Sequence, residues 1–184
     1  DWYRSRGLGD VYKRQPIHLS STFKQMEPGN FEYEYARTKN PSRDVLEKLL
    51  AQIESGDKAF AFASGMSAIN TVCDLFGTNY HIVCSDDVYG GTRRLFDKVK
   101  SNIDVTYIDF DKNINWNDEI KENTKFIWIE TPSNPLMKII DIKNTVSIAS
   151  EFNLPVICDN TFASPFNQRP LELGADMVVS SSTK

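Results

Sequence analysis

The run Pro155-Val156-Ile157-Cys158-Asp159-Asn160-Thr161, followed after a loop by Met177-Val178-Val179-Ser180-Ser181-Ser182-Thr183-Lys184, decides the fold. Each half begins as a short apolar stretch and ends abruptly in polar residues. Continuous apolar runs without alternation describe strands buried on both faces. Such strands belong to parallel sheets that are covered by helices on each side. The polar ends then gain meaning, because ligands of open α/β sheets collect outside the carboxyl ends of the strands.

Working outward, the rest of the chain alternates in the same way. Ser42 is placed to cap a helix through Ser55, with Val45, Leu46, Leu49, Leu50 and Ile53 on one face and Gly56 as its stop. Lys58 to Ala63 reads as a short strand, and Ser64 to Phe76 as a helix ended by Gly77. His81–Ser85, Asp104–Ile108 and Phe126–Glu130 read as further strands. Gly90–Lys100, Asp118–Glu122 and Thr145–Phe152 read as helices between them. The predicted fold class is α/β, a mostly parallel sheet with helices on both faces. Residues 16–41 have no clear period and read as an extended arm. Residues 1–15 carry four basic residues, two glycines and no apolar pattern, and are expected to be a cloning or sequencing tail. The organisation expected is tail 1–15, arm 16–41 and one domain from 42 to 184.

The bulk properties exclude several classes. With 184 residues, 40% hydrophobic and 25% charged, the chain is long enough for one core and too apolar for disorder. A net charge of -4 does not suggest a nucleic-acid surface. Residues 1–15 contribute +2, which leaves -6 on the remainder. No apolar run is long enough to span a bilayer. The three cysteines sit in apolar contexts without CxxC spacing, so they read as buried free thiols in a reducing compartment. Two distant histidines argue against a zinc site. A cytoplasmic setting is the expectation, with neither membrane nor metal.

The unusual residues gather at the strand ends. Asp159 closes an apolar strand, where a carboxylate needs a partner. A pyridinium N–H is a suitable one, since the pair keeps the ring protonated. Ser181 and Thr183 offer hydroxyls to an anion, and Lys184 offers an amine. That set is what a pyridoxal 5'-phosphate (PLP) enzyme needs: an acid for the pyridine nitrogen, hydroxyls for the phosphate and a lysine for the Schiff base. Ser64-Gly65-Met66 opens a helix whose first N–H groups form an anion cradle. Tyr89, beside Gly90 and Gly91, is placed to lay its ring over a flat cofactor. Arg37 in Tyr35-Ala36-Arg37 suits a bidentate phosphate contact. Each feature alone has an ordinary reading: a helix cap at Ser64 or Asp159, turn hydroxyls, a core aromatic at Tyr89, and solvated charges at Arg37 and Lys184.

Together they resemble the PLP-dependent transsulfuration family, which includes cystathionine γ-lyase, cystathionine γ-synthase, methionine γ-lyase and the O-acylhomoserine sulfhydrylases. The resemblance runs from about Pro16 to Lys184. It rests on Tyr35-Ala36-Arg37, Asn40-Pro41-Ser42-Arg43, Phe62-Ala63-Ser64-Gly65-Met66-Ser67-Ala68 and Asp87-Val88-Tyr89-Gly90-Gly91-Thr92. It continues through Trp128-Ile129-Glu130-Thr131-Pro132-Ser133-Asn134-Pro135, Asp159-Asn160-Thr161-Phe162-Ala163-Ser164-Pro165 and Ser181-Ser182-Thr183-Lys184.

The resemblance implies an aspartate-aminotransferase-like (fold type I) large domain, here truncated, with the C-terminal domain and its carboxylate-binding arginine beyond Lys184. It implies that Lys184 holds PLP as an aldimine, that Asp159 binds the pyridine nitrogen and that Tyr89 stacks on the ring. Asn134 would lie near the 3-hydroxyl. Gly65, Met66, Ser181 and Thr183 would hold the phosphate, with Ser64 beside them. Tyr35 and Arg37 would reach the phosphate of a partner subunit in a homodimer, usually paired into a homotetramer. The activity implied is γ-elimination or γ-replacement on cystathionine or an O-acylhomoserine. Two departures stand out: Ser180 replaces a usual histidine, and Gly91 stands where methionine γ-lyases typically carry cysteine. The second favours a cystathionine γ-lyase or γ-synthase type over methionine γ-lyase. The alternatives are a non-catalytic fragment, or an O-acylhomoserine sulfhydrylase or methionine γ-lyase.

Overall fold

A computed structural model describes residues 16–184; the tail expected over residues 1–15 lies outside them. The chain forms two compact units. One takes in the described residues up to Gln52 together with Asp57–Ala61, and the other takes in Ile53–Gly56 and Phe62–Lys184.

The first unit is an arm leading into helix α1, Pro41–Ile53. In the arm, Thr22 bridges Tyr35, and the Phe23 and Ala36 N–H groups donate to the carbonyls of Glu34 and Ser21. The expected cap, Ser42, does not cap the helix. Asn40 Oδ1 accepts from the Ser42 and Arg43 N–H groups at 2.9 and 3.3 Å, while Ser42 Oγ accepts from His18 N–H at 2.8 Å. Asparagine wins here because its longer side chain reaches back over the first turn. The turn after α1 passes through Ser55 at φ +58°, so the left-handed residue is Ser55 rather than the expected Gly56. The strand expected at Lys58–Ala63 does not form. The Ala61 N–H is taken by Glu47 Oε1 at 2.9 Å, which leaves it no ladder partner.

The second unit is built on a wholly parallel sheet. Its strands are β1 (Tyr80–Ser85), β2 (Ile103–Ile108), β3 (Thr124–Glu130), β4 (Val156–Asp159) and β5 (Met177–Val179), in the order β2-β1-β3-β4-β5. Helix α2 is Gly65–Asp74, capped by Ser64, whose side chain accepts from Ser67 N–H. Helix α3, Gly90–Arg94, runs into a π-helical turn at Leu95–Val99. Short α4 covers Trp116–Glu119, two residues earlier than the pattern suggested. Helix α5 is Ile142–Glu151, capped by Asp141, and α6 is Ser164–Asn167.

The central strands β1, β3 and β4 are almost fully buried, as their unbroken apolar runs require. Side chains alternate between two cores. Ile82, Cys84, Phe126, Trp128 and Ile157 face the core shared with Ile69 and Cys73 of α2. Val83, Ile127, Ile129, Val156 and Cys158 face the core shared with Ile142 and Ala149 of α5. On the α2 side, Phe96 meets Trp128 edge-on, with centroids 5.7 Å apart. All three cysteines are buried and free.

The strand order matters for the site. The chain crosses from β1 outward to β2, then returns to the other side of β1 as β3. That reversal is the topological switch point, and a crevice opens there beyond the carboxyl ends of β1 and β3. Tyr89 follows β1 and Asn134 follows β3. Among the described residues, no helix is long and apolar enough to cross a membrane.

Candidate active site

Strand parity aims the site residues. Trp128 and Ile157 face α2, so Glu130 and Asp159, each two residues further along, leave the sheet on that same face. Both therefore point beneath the N-terminus of α2. They pair in register across β3 and β4. A cavity of about 230 Å³ lies there. Its lining holds Ser64, Gly65, Met66, Tyr89, Asn134, Asp159, Ser181, Thr183 and Lys184, which are all the expected site residues of this unit. Tyr35 and Arg37 belong to the other unit, where the Arg37 guanidinium lies 4.7 Å from the centre of the Tyr35 ring.

Asp159 is only 6% exposed, and its Oδ1 accepts from Thr161 N–H at 3.0 Å. Burial pushes its carboxyl above the usual range, against the pull of the Thr161 hydroxyl and N–H. Among the described residues it makes no ion pair. Thr161 also accepts from Ser181 N–H at 2.9 Å, which ties the strand end bearing Asp159 to the turn bearing Lys184. In that turn Ser181 Oγ and Thr183 Oγ1 stand 3.0 Å apart.

The cradle at α2 is tight. A Cβ at Gly65 would stand 3.2 Å from Ser181 Cβ, so the glycine lets the helix N-terminus and the hydroxyl turn approach each other. At Gly91 a Cβ would come within 2.5 Å of Tyr89 Cε1 and 3.0 Å of Met66 Sδ. The atom in the way is the far side of a ring that can turn. Gly91→Ala should therefore leave thermal stability within about 1 kcal/mol while displacing the Tyr89 ring. Calorimetry together with the visible circular dichroism of the bound cofactor checks this; an unchanged spectrum would show the ring unmoved.

Two polar residues lining the cavity were given no role from sequence. Thr161 is one and Glu130 is the other, although Glu130 bears the same signature as Asp159: a carboxylate closing an apolar strand. Glu130 is 4% exposed, and its Oε2 accepts from Tyr89 N–H at 2.7 Å. Burial pushes its carboxyl up to about 8; the Tyr89 N–H pulls it down, while Asp159 and Asp87 push it further up. The loop after β3 is fastened separately. Asp87 accepts from the Ser133 hydroxyl and from Leu136 N–H, and Lys138 Nζ stands 3.1 Å from Asp86 Oδ1 and 2.9 Å from Asp109 Oδ1.

The Glu130 shift carries a consequence for stability. A carboxyl whose pKa is raised on folding keeps its proton longer in the native state, so native stability falls as pH rises from the unfolded value toward about 8. Cofactor-free protein should lose stability to denaturant between pH 5 and 8.5. Glu130→Gln should flatten that slope by an amount on the order of a few kcal/mol. A slope unaltered by the substitution would place the titration elsewhere.

Residues 9–184 match the model of the family described as Cys/Met metabolism PLP-dependent enzyme. The chain belongs to this family. It is 44% identical over 173 residues to a cystathionine β-lyase of Coxiella burnetii, covering 92% of this chain and 45% of that protein. It is 46% identical over 172 residues to a cystathionine γ-lyase of Bacillus subtilis, with the same shares. Among solved structures, cystathionine γ-lyase from Lactobacillus plantarum complexed with L-serine superposes at TM-score 0.84 and 46% identity, over 90% of this chain and 44% of that one. MetB from Corynebacterium glutamicum reaches TM-score 0.88 at 40% identity, over 93% and 46%. The chain thus spans about half the length of the relatives it matches.

The residues present fit the family's PLP. The buried carboxyl of Asp159, without an ion pair among the described residues, suits a ring N–H, because an uncompensated buried charge is costly. The Gly65 cradle, which any side chain would fill, combines with the facing hydroxyls into a place for a phosphate. Lys184 lines the same cavity.

Proposed function

We propose that the whole protein carries out PLP-dependent γ-elimination or γ-replacement on a cystathionine-like or O-acylhomoserine amino acid. The observation that supports this reading is the convergence of Asp159, the Ser181–Thr183 hydroxyls and Lys184 on one cavity. When bound, PLP supplies an electron sink for charge developing at the substrate Cα. The chain's own residues do the rest. Asp159 holds the ring-nitrogen proton in place. The Gly65 and Met66 N–H groups, with Ser181 and Thr183, bind the phosphate. Tyr89 would cover one face of the ring, and Asn134 would lie toward its 3-hydroxyl. Lys184 would be the covalent attachment point. Its amine, when free, would take a proton first from the substrate Cα and then from Cβ, as departure of a γ-substituent requires.

Tyr35 and Arg37 are assigned to the phosphate of a partner subunit in a homodimer or homotetramer. Their stacked arrangement supports this, since it leaves the guanidinium fork pre-oriented. Sedimentation of the full-length protein checks the assembly. The three buried free thiols support a cytoplasmic setting.

Relatives of similar identity are named for both β- and γ-lyase reactions, so the product decides. Full-length protein incubated with PLP and cystathionine should release cysteine, ammonia and 2-oxobutanoate, with one water consumed. Homocysteine and pyruvate would instead show cleavage at the β-carbon. With an O-acylhomoserine and a thiol, thioether formation would show replacement. Absence of all of these would refute the reading.

A further inference from the structure

Glu130 is a buried carboxyl that the proposed chemistry leaves unused. It is the last residue of β3 and pairs in register with Asp159, on the same face of the sheet. Two bonds tie this strand end to the exit of β1. The Glu130 backbone N–H donates to Ser85 Oγ at 3.3 Å, and Glu130 Oε2 accepts from Tyr89 N–H at 2.7 Å. Tyr89 makes no side-chain cap for the helix it precedes. Tyr89 is 43% exposed, so packing alone leaves its ring free to turn. The ring is therefore aimed by its backbone, and its backbone N–H is held by Glu130.

We propose that Glu130 is a positioning residue that fixes the Tyr89 turn, and with it the ring, over the cofactor cavity. This rests on the reading of Tyr89 as the residue that covers the PLP ring. The groups that act on Glu130 are Asp159, Asp87, the Asn134 N–H, the Cys84 thiol and, through the sheet, the Cys158 thiol, and among the described residues it makes no ion pair. Burial in such company keeps the carboxyl neutral near pH 7, so it works as a neutral acceptor. Glutamine, of the same reach and with a carbonyl acceptor, is then a faithful substitute. Leucine offers no acceptor, and aspartate falls one methylene short.

The test uses full-length protein with Glu130→Gln, Glu130→Leu, Glu130→Asp and, as reference, Tyr89→Ala. PLP affinity is measured by fluorescence titration, ring placement by visible circular dichroism, and folding by the melting of the cofactor-free form. Glu130→Gln should bind PLP within about threefold of the parent, with the parent's spectrum. Glu130→Leu should bind about tenfold more weakly or worse, with a spectrum shifted toward that of Tyr89→Ala. Glu130→Asp should move in the same direction, and it decides the matter if the leucine variant does not fold. If Glu130→Asp and Glu130→Leu match the parent while Tyr89→Ala does not, the role of Glu130 is refuted and that of Tyr89 stands. If Glu130→Gln is as impaired as Glu130→Leu, the acceptor is not what matters and the proposal fails. If Tyr89→Ala is itself without effect, both readings fall.

Discussion

Lys184→Ala in the full-length protein should abolish turnover, with kcat reduced by at least about a thousandfold. The loss is expected to be this large because one amine serves two roles in the proposed chemistry: covalent attachment of the cofactor and movement of the substrate's protons. The two roles separate by experiment. Reduction with borohydride followed by mass spectrometry should add the cofactor's mass to the parent protein and not to the variant. An external primary amine should restore part of the proton transfer and none of the covalent mass. Non-covalent PLP binding should persist, since Asp159, Tyr89 and the hydroxyls of Ser181 and Thr183 line the cavity independently of the amine. A variant that still gained the cofactor's mass at another lysine would refute the assignment of Lys184.

The sequence made the sheet legible because its central strands are buried on both faces and therefore read as unbroken apolar runs. Phe126–Glu130 and Val156–Asp159 needed no tertiary information. The strand expected at Lys58–Ala63 failed for the opposite reason. Its pattern is compatible with a strand, but a strand exists only with a neighbour, and Glu47 claims the Ala61 donor. The α1 cap went to Asn40 rather than Ser42, because several short polar residues before a helix compete, and three-dimensional reach decides between them. At the site, residues were found wherever a chemical type and a strand end coincided, as at Asp159 and Lys184. Glu130 had the same type and place, yet it was passed over, because its partner is a backbone N–H that no sequence pattern displays. Thr161 escaped likewise, since its value lies in linking two strand ends through Asp159 and Ser181.

Asp159→Asn separates a catalytic role from a structural one by moving two quantities in opposite directions. Asparagine keeps the volume and retains an Oδ1 to accept from Thr161 N–H. What it loses is the charge. For the cofactor-free protein that charge is a liability: burial raises the carboxyl's pKa, so folding is opposed at every pH above the ordinary carboxylate range. The variant without cofactor should therefore melt at or above the parent's temperature at pH 7. With cofactor the balance inverts. The carboxylate is the counter-charge that keeps the ring nitrogen protonated, and removing one member of a buried charge pair costs about 2–5 kcal/mol. That corresponds to a fall in kcat of about thirtyfold to several thousandfold, accompanied by weaker PLP retention on dialysis. If Asp159→Asn instead lowered activity and cofactor-free stability together, Asp159 would be a structural residue of the β4 end, and the site would need another partner for the ring nitrogen. Asp159→Glu adds a useful third point. It restores the charge but lengthens the side chain in a place with 6% exposure, so it should recover part of the activity while costing stability.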